Sequence, residues 1–148
     1  MEQAERRERV ERLLDHYEFP RHEGRLEEPD VEMPGGNSEC GDVVRIYLKG
    51  AGDRIEALTF EGEGCTISVS AASMLLQVVH QEGLTMDEVL QMGYSRIVEE
   101  IGPQIAASRP RCATLALGTL KAAVKEYHRR RRLQANTTDT VETRQDLG

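Results

Sequence analysis

Three cysteines, Cys40, Cys65 and Cys112, and one aspartate, Asp42, are the side chains of this sequence best suited to chemistry. The thiols stand 25 and 47 positions apart. None forms a C-x-x-C pair, so the spacings of zinc ribbons and thioredoxin-like sites are not met. Their local settings are still distinctive. Cys40 follows Gly35-Gly36-Asn37-Ser38-Glu39, Cys65 ends Glu61-Gly62-Glu63-Gly64, and Cys112 comes just past Pro110. Cys65 and Cys112 each enter a predicted helix, where unpaired N–H groups and the positive end of the dipole favour thiolate, the nucleophilic and metal-binding form. Asp42 lies two residues beyond Cys40, and in an extended segment that spacing puts both side chains on one face. Free cysteine is also a common core residue. On spacing alone the packing reading and the reactive or metal-bound reading are evenly matched, although glycines beside two of the thiols weigh against mere packing.

The elements that must position these groups follow from periodicity. Val10, Leu13, Leu14 and Tyr17 recur at helical spacing, which predicts an amphipathic helix over 3–16, ended by Pro20. Residues 20–41 hold Pro20, Gly24, Pro29, Pro34, Gly35, Gly36 and Gly41, so they read as loop with room for one short strand. Val44, Ile46 and Leu48 alternate with Arg45, Tyr47 and Lys49, the pattern of a half-buried strand. A turn at Gly50-Ala51-Gly52-Asp53 pairs it with a second strand, Ile55 to Phe60. Ile67 to His80 reads as a buried helix, and Thr85 with Glu88 as a capping box opening a short helix to about Met92. A further short helix spans Ser95 to Ile101, stopped by Gly102-Pro103. Pro110 sits just before a last long helix with Cys112, Ala116, Thr119, Leu120, Ala123 and Tyr127 on its apolar stripe and His128 to Arg132 at its end. Residues 134–148 are polar without apolar spacing and are expected to form a disordered tail after one domain over 1–133. The fold class is α+β: a small antiparallel sheet of about three strands packed on several helices.

Composition narrows the function. The 148 residues carry 19 Lys and Arg against 26 Asp and Glu, a formal charge of −7, and four of those cations are the run Arg129–Arg132. A body this acidic is a poor binder of nucleic acid. No apolar stretch approaches the length of a membrane span. The first residues, Met1 to Arg7, are charged and lack the apolar core of a secretory signal. An odd number of cysteines argues against a disulfide framework, so the expectation is a reduced, cytoplasmic protein.

Four stretches together resemble the IscU/SufU/NifU N-terminal family. They are Asp15-His16-Tyr17-Glu18-Phe19-Pro20-Arg21-His22-Glu23-Gly24, Asn37-Ser38-Glu39-Cys40-Gly41-Asp42, Phe60 to Ser68 continuing into Ser70-Ala71-Ala72-Ser73, and Arg111-Cys112-Ala113-Thr114-Leu115-Ala116. The resemblance is collinear over about residues 10–128 and implies an iron–sulfur cluster assembly protein working with a cysteine desulfurase and apo iron–sulfur acceptor proteins. It implies Cys40, Cys65 and Cys112 as ligands of a transient 2Fe–2S cluster, of zinc, or of each in turn, with Asp42 beside them. Soft thiolates suit both cargoes, and a harder carboxylate makes a site that lets go more readily than four thiolates would. Cys40 is the candidate acceptor of persulfide sulfur, because its glycine-rich loop can move.

The sequence departs from the family's scaffold type in two places. Arg111 stands where the scaffold type has histidine before the third cysteine, and arginine has no acceptor nitrogen with which to bind metal. It is expected instead to stabilise neighbouring thiolates. Gln104-Ile105-Ala106-Ala107-Ser108-Arg109-Pro110 replaces the chaperone-recognition motif Leu-Pro-Pro-Val-Lys. Both departures point to the zinc-dependent sulfurtransferase type, whereas the gap of 47 between the second and third cysteines is too short for that type's extra segment. A scaffold or sulfur acceptor, a zinc-dependent sulfurtransferase and a structural zinc-binding interaction module therefore all remain open. His16 and His22 have no ligand spacing to a cysteine and are expected on the solvated surface, in a region that the resemblance places near the desulfurase. His80 and His128 are assigned no role, and Met74, Met86 and Met92 are expected to fill core gaps. Arg129–Arg132, extended by Lys121 and Lys125, reads as a solvated face or as a surface for an acidic partner.

Overall fold

A computed structural model describes the backbone of residues 2–37 and 41–147 and the side chains of 3–36 and 41–135. The chain runs α1 (Glu2–Glu18), β1 (Val31–Asn37), β2 (Asp42–Ala51), β3 (Arg54–Glu63), α2 (Thr66–Glu82), α3 (Met86–Gln91), α4 (Tyr94–Ile101), α5 (Pro103–Ser108) and α6 (Pro110–Leu147). The three strands form one antiparallel sheet in the order β1-β2-β3. This is the α+β arrangement expected, with an N-terminal helix and a long C-terminal helix.

The alternation of β2 decides which way the sheet faces. Val44, Ile46 and Leu48 are buried on one side, joined by Leu58 and Phe60 of β3, and this apolar face meets α2 and α6. The largely buried α2 is the central helix: its buried residues run from Ser68 to Val79, and it packs against α1, α4, α6 and the sheet. Its termini are well defined. Cys65 is the N-cap, and Gly83 ends the helix in the left-handed conformation at φ 60°, donating its N–H to Val79 O. The capping box of α3 is present as predicted: Glu88 N–H donates to Thr85 Oγ1 at 3.1 Å, and Thr85 N–H to Glu88 Oε1 at 3.1 Å.

Several expectations are corrected. The loop with room for a short strand contains a seven-residue strand, β1, in spite of Pro34 and two glycines. β1 is an edge strand, where a missing N–H costs least. Gly35 lets it lie directly on α6, since a Cβ there would fall 2.0 Å from Thr119 Oγ1. Gly102-Pro103 ends α4 at Ile101 as expected, but Pro103 also opens a further helix, α5, and Pro110 starts α6 rather than preceding it. Both prolines occupy a first-turn position, where the ring's fixed φ suits the helix and the missing N–H has no intrahelical use. Tyr47 is 2% exposed rather than outward, its hydroxyl donating to Glu61 Oε1. The Arg129–Arg132 run lies within α6, not at its end. Arg129 and Arg130 both pair with Glu126, and Arg130 Nη1 also donates to Asp30 O at 2.6 Å. Helical backbone continues to Leu147, and the expected tail over 134–148 falls mainly on side chains outside the described residues. Among the described residues no helix is long and apolar enough to cross a membrane.

Candidate metal centre

The start of β2, the N-terminus of α2 and the first turn of α6 meet at one point. Asp42 opens β2 and is 1% exposed. Its Oδ1 accepts the backbone N–H of Cys65 at 2.8 Å. Its Oδ2 accepts the Ser68 hydroxyl at 2.7 Å, the Cys112 thiol at 2.8 Å and the Cys65 thiol at 3.7 Å. Burial works against charge on this carboxyl, but the bonds from Cys112, the Cys65 N–H, Ser68 and the Cys65 thiol outweigh it and hold the group below the usual carboxylate range.

Each thiol is placed by a helix start. Cys65 caps α2, its sulfur accepting the Ser68 N–H at 3.4 Å. The approach to that cap needs a glycine. Gly64 has φ 136°, and a Cβ there would lie 2.2 Å from Asp42 Oδ1. Cys112 lies in the first turn of α6 and is 1% exposed, so Cys65 is the partly exposed member of the group. One donor atom from each of Asp42, Cys65 and Cys112 lies within 4.8 Å of the others. Two soft sulfurs and a carboxylate oxygen this close can hold zinc or iron as three of four tetrahedral ligands.

Cys40 lies outside the described residues. Arg111 is exposed and borders an open groove of about 600 Å³ between β1 and α6, with Gly35, Tyr94 and Leu115. Ser68, whose side chain is 3% exposed, was missed by sequence reasoning. Its signal was the Cys65-x-x-Ser68 spacing, which puts it at the third helical position, where capping partners sit.

The histidines of the N-terminal signature behave differently from their expectation. His16 is not solvated: it is 2% exposed, with Nδ1 2.7 Å from Ser73 Oγ, and the same oxygen accepts the Arg21 N–H at 2.8 Å. Burial, aided by the positive charges of Arg21 and Arg12, lowers its pKa from 6.5 to about 4. The error has a physical cause: α1 turns His16 inward beside Leu13, and a Ser of α2 meets it there. His22 is exposed and stacks on His80 at 3.7 Å between ring centroids, while His80 Nε2 lies 3.0 Å from Leu58 O. Neither approaches a cysteine's metal-binding position among the described residues.

The pattern of the NifU-like N terminal domain matches residues 8–134. The chain belongs to this family. A relative in Archaeoglobus fulgidus, named iron-sulfur cluster assembly scaffold protein IscU 1, is 30% identical over 120 residues, covering 81% of this chain and 76% of that protein. The zinc-dependent sulfurtransferase SufU of Bacillus subtilis is 30% identical over 129 residues, covering 76% of this chain and 86% of that protein. Among solved structures, the N-terminal part of a nitrogen-fixing NifU-like protein from Brucella abortus superposes with a TM-score of 0.69 over 80% of this chain and 92% of that one. At 18% identity, that last likeness is one of fold. For a member of the NifU-like N terminal family, the sheet, the central helix and the long last helix are thus accounted for together.

Proposed function

We propose that this protein takes part in iron–sulfur cluster assembly, accepting sulfur from a cysteine desulfurase and building or passing on a transient 2Fe–2S cluster at Cys40, Asp42, Cys65 and Cys112. One observation carries the reading: Asp42, Cys65 and Cys112 come from three separate stretches, yet present donor atoms within 4.8 Å of one another. Membership of the family and the scaffold relative support it. Iron and sulfide are cargo here, and the chain's own residues hold and release them. The thiolates of Cys65 and Cys112 bind the soft cargo, and Asp42 offers a harder oxygen that exchanges more readily. Cys40 takes the role of sulfur acceptor. Its thiolate attacks the outer sulfur of the desulfurase persulfide; the persulfide S–S bond breaks, the desulfurase cysteine leaves as thiolate, and the new persulfide stands on Cys40. Thiols that must stay reduced suit a cytoplasmic setting.

A second reading is favoured by Arg111, which stands where the scaffold type has histidine, and by the Bacillus subtilis relative. Under it the same donors hold zinc, and the protein is a zinc-dependent sulfurtransferase. One experiment separates the readings: metal and acid-labile sulfide analysis of protein purified without oxygen, followed by desulfurase turnover and transfer to an apo-ferredoxin. Cluster formation and transfer support the scaffold, while tight zinc with strong desulfurase stimulation supports the sulfurtransferase. Zinc without any effect on a desulfurase leaves only an interaction module, and protein that binds neither metal nor cluster overturns the metal centre itself.

A further inference from the structure

We propose that Ser68 is the positioning residue that keeps Asp42 aimed at the metal centre when the centre is loaded. The inference rests on the metal-centre reading above and goes one step further, to a residue that is not itself a ligand. Three donors converge on Asp42 Oδ2: the Cys112 thiol at 2.8 Å, the Cys65 thiol at 3.7 Å and the Ser68 hydroxyl at 2.7 Å. Two of those donors are metal ligands in waiting. Cysteine binds metal as thiolate, so on loading both S–H protons leave and their bonds to Oδ2 vanish. Ser68 is then the one side-chain donor of the three that still holds this oxygen. The Cys65 N–H, 2.8 Å from Oδ1, holds the other.

Place and burial equip Ser68 for this role. It lies in the first turn of α2, and its backbone N–H, 3.4 Å from Cys65 Sγ, caps the helix independently of its side chain. Its hydroxyl carries a single proton. While that proton is given to Asp42, the 3.4 Å contact of Ser68 Oγ with Cys65 Sγ can draw only on the single Cys65 S–H, for which Ser68 Oγ and Asp42 Oδ2 compete, and loading removes that proton. The hydroxyl therefore ends with Asp42 as its hydrogen-bonded neighbour beside a thiolate. Partners of this kind, one shell out from the metal, fix the orientation of a ligating carboxylate, and their loss typically lowers metal affinity by about 10–100-fold.

The test is Zn²⁺ and Co²⁺ binding by chelator competition, with the Co²⁺ absorption spectrum as a second readout, on the full chain and its variants. S68A is expected to weaken Zn²⁺ binding by about tenfold and to alter the Co²⁺ d–d bands, while S68T binds like the unchanged protein. In a D42A background, S68A is expected to change affinity less than twofold, because Ser68 acts through Asp42. If S68A does not fold, the isosteric pair S68T and S68V decides on the same readouts. Unchanged affinity and spectrum in S68A or S68V, or an equal loss with and without Asp42, overturns the role of Ser68 and leaves the metal centre standing. Failure of the unchanged protein to bind either ion overturns the centre and this inference together.

Discussion

Two polar clusters on α2, one at its N-terminus and one at mid-helix, are built for opposite purposes. At its N-terminus, Cys65, Asp42, Cys112 and Ser68 crowd around one carboxylate oxygen, and two of the donors are soft sulfurs that metal can claim. Two turns on, Ser73 Oγ lies 2.7 Å from His16 Nδ1 and accepts the Arg21 N–H, closing a contact in which each group serves a neighbour. The first arrangement, under the function proposed above, trades internal bonds for an ion; the second locks α1 and the segment after it onto the central helix. Buried polar groups thus mark exchange in one place and attachment in the other, and the distinguishing feature is the presence of convergent ligand atoms.

The contrast can be broken most severely by removing a sulfur. Cys65→Ala or Cys112→Ala is expected to lower Zn²⁺ affinity by roughly 100-fold or more, since a site built around thiolates loses a principal ligand. Metal content after purification and chelator competition check this. If binding is retained, these sulfurs are not the site. The same pair of variants should leave the α1 attachment intact, so hydrogen exchange at Arg21 N–H should not change.

The attachment responds to acid. His16 has a folded pKa of about 4 against 6.5 unfolded, so between those values the unfolded chain binds more protons. Its share of the stability is fully present above pH 6.5 and is lost as pH falls towards 4, a difference of about 3 kcal/mol by linkage. Denaturant unfolding of metal-free protein at pH 7 and pH 4.5 should show this loss, and His16→Asn should flatten it. An equally steep loss in that variant would show that other groups carry the acid response.

Gly64→Ala should destabilise the metal-free protein by about 1–3 kcal/mol, because φ 136° is open to glycine and the new Cβ would meet Asp42 Oδ1 at 2.2 Å. Thermal unfolding measures it, and Zn²⁺ affinity should fall alongside, since the carboxylate must move. The smallest expected change sharpens the comparison rather than breaking it. Asp42→Cys replaces the hard donor by a fourth thiol and should slow release of bound Zn²⁺ to a chelator about tenfold, in keeping with the preference of soft ligands for this ion. Release at the original rate would mean that Asp42 does not set how readily the site lets go.

Much of the fold was legible in the sequence because local periodicity and local burial agree there. The β2–β3 hairpin, α2 and the α3 capping box all follow from alternation, helical spacing and a Thr-x-x-Glu pattern that the structure keeps. β1 was legible only as room for one short strand and α5 not at all, since proline and glycine were read as breakers while an edge position and a first-turn position accommodate them. Tyr47 and His16 misled for a different reason. Each is polar at one end and was expected in water, and each is buried by a partner distant in sequence: Glu61 for Tyr47 and Ser73 for His16.

The site divides in the same way. Thiols beside glycines and at helix starts, an aspartate two residues from the first of them, and the order of four motifs are properties of the chain, and they single out Cys40, Asp42, Cys65 and Cys112. Convergence is not a property of the chain. Positions 23 and 70 residues away from Asp42 meet its carboxylate because antiparallel pairing brings the end of β3 beside the start of β2 and α6 packs against that sheet. Ser68 acquires its place only through that packing. Distance in sequence carries no record of distance in space, so the residue types came from the sequence and the shared oxygen they surround came from the tertiary fold.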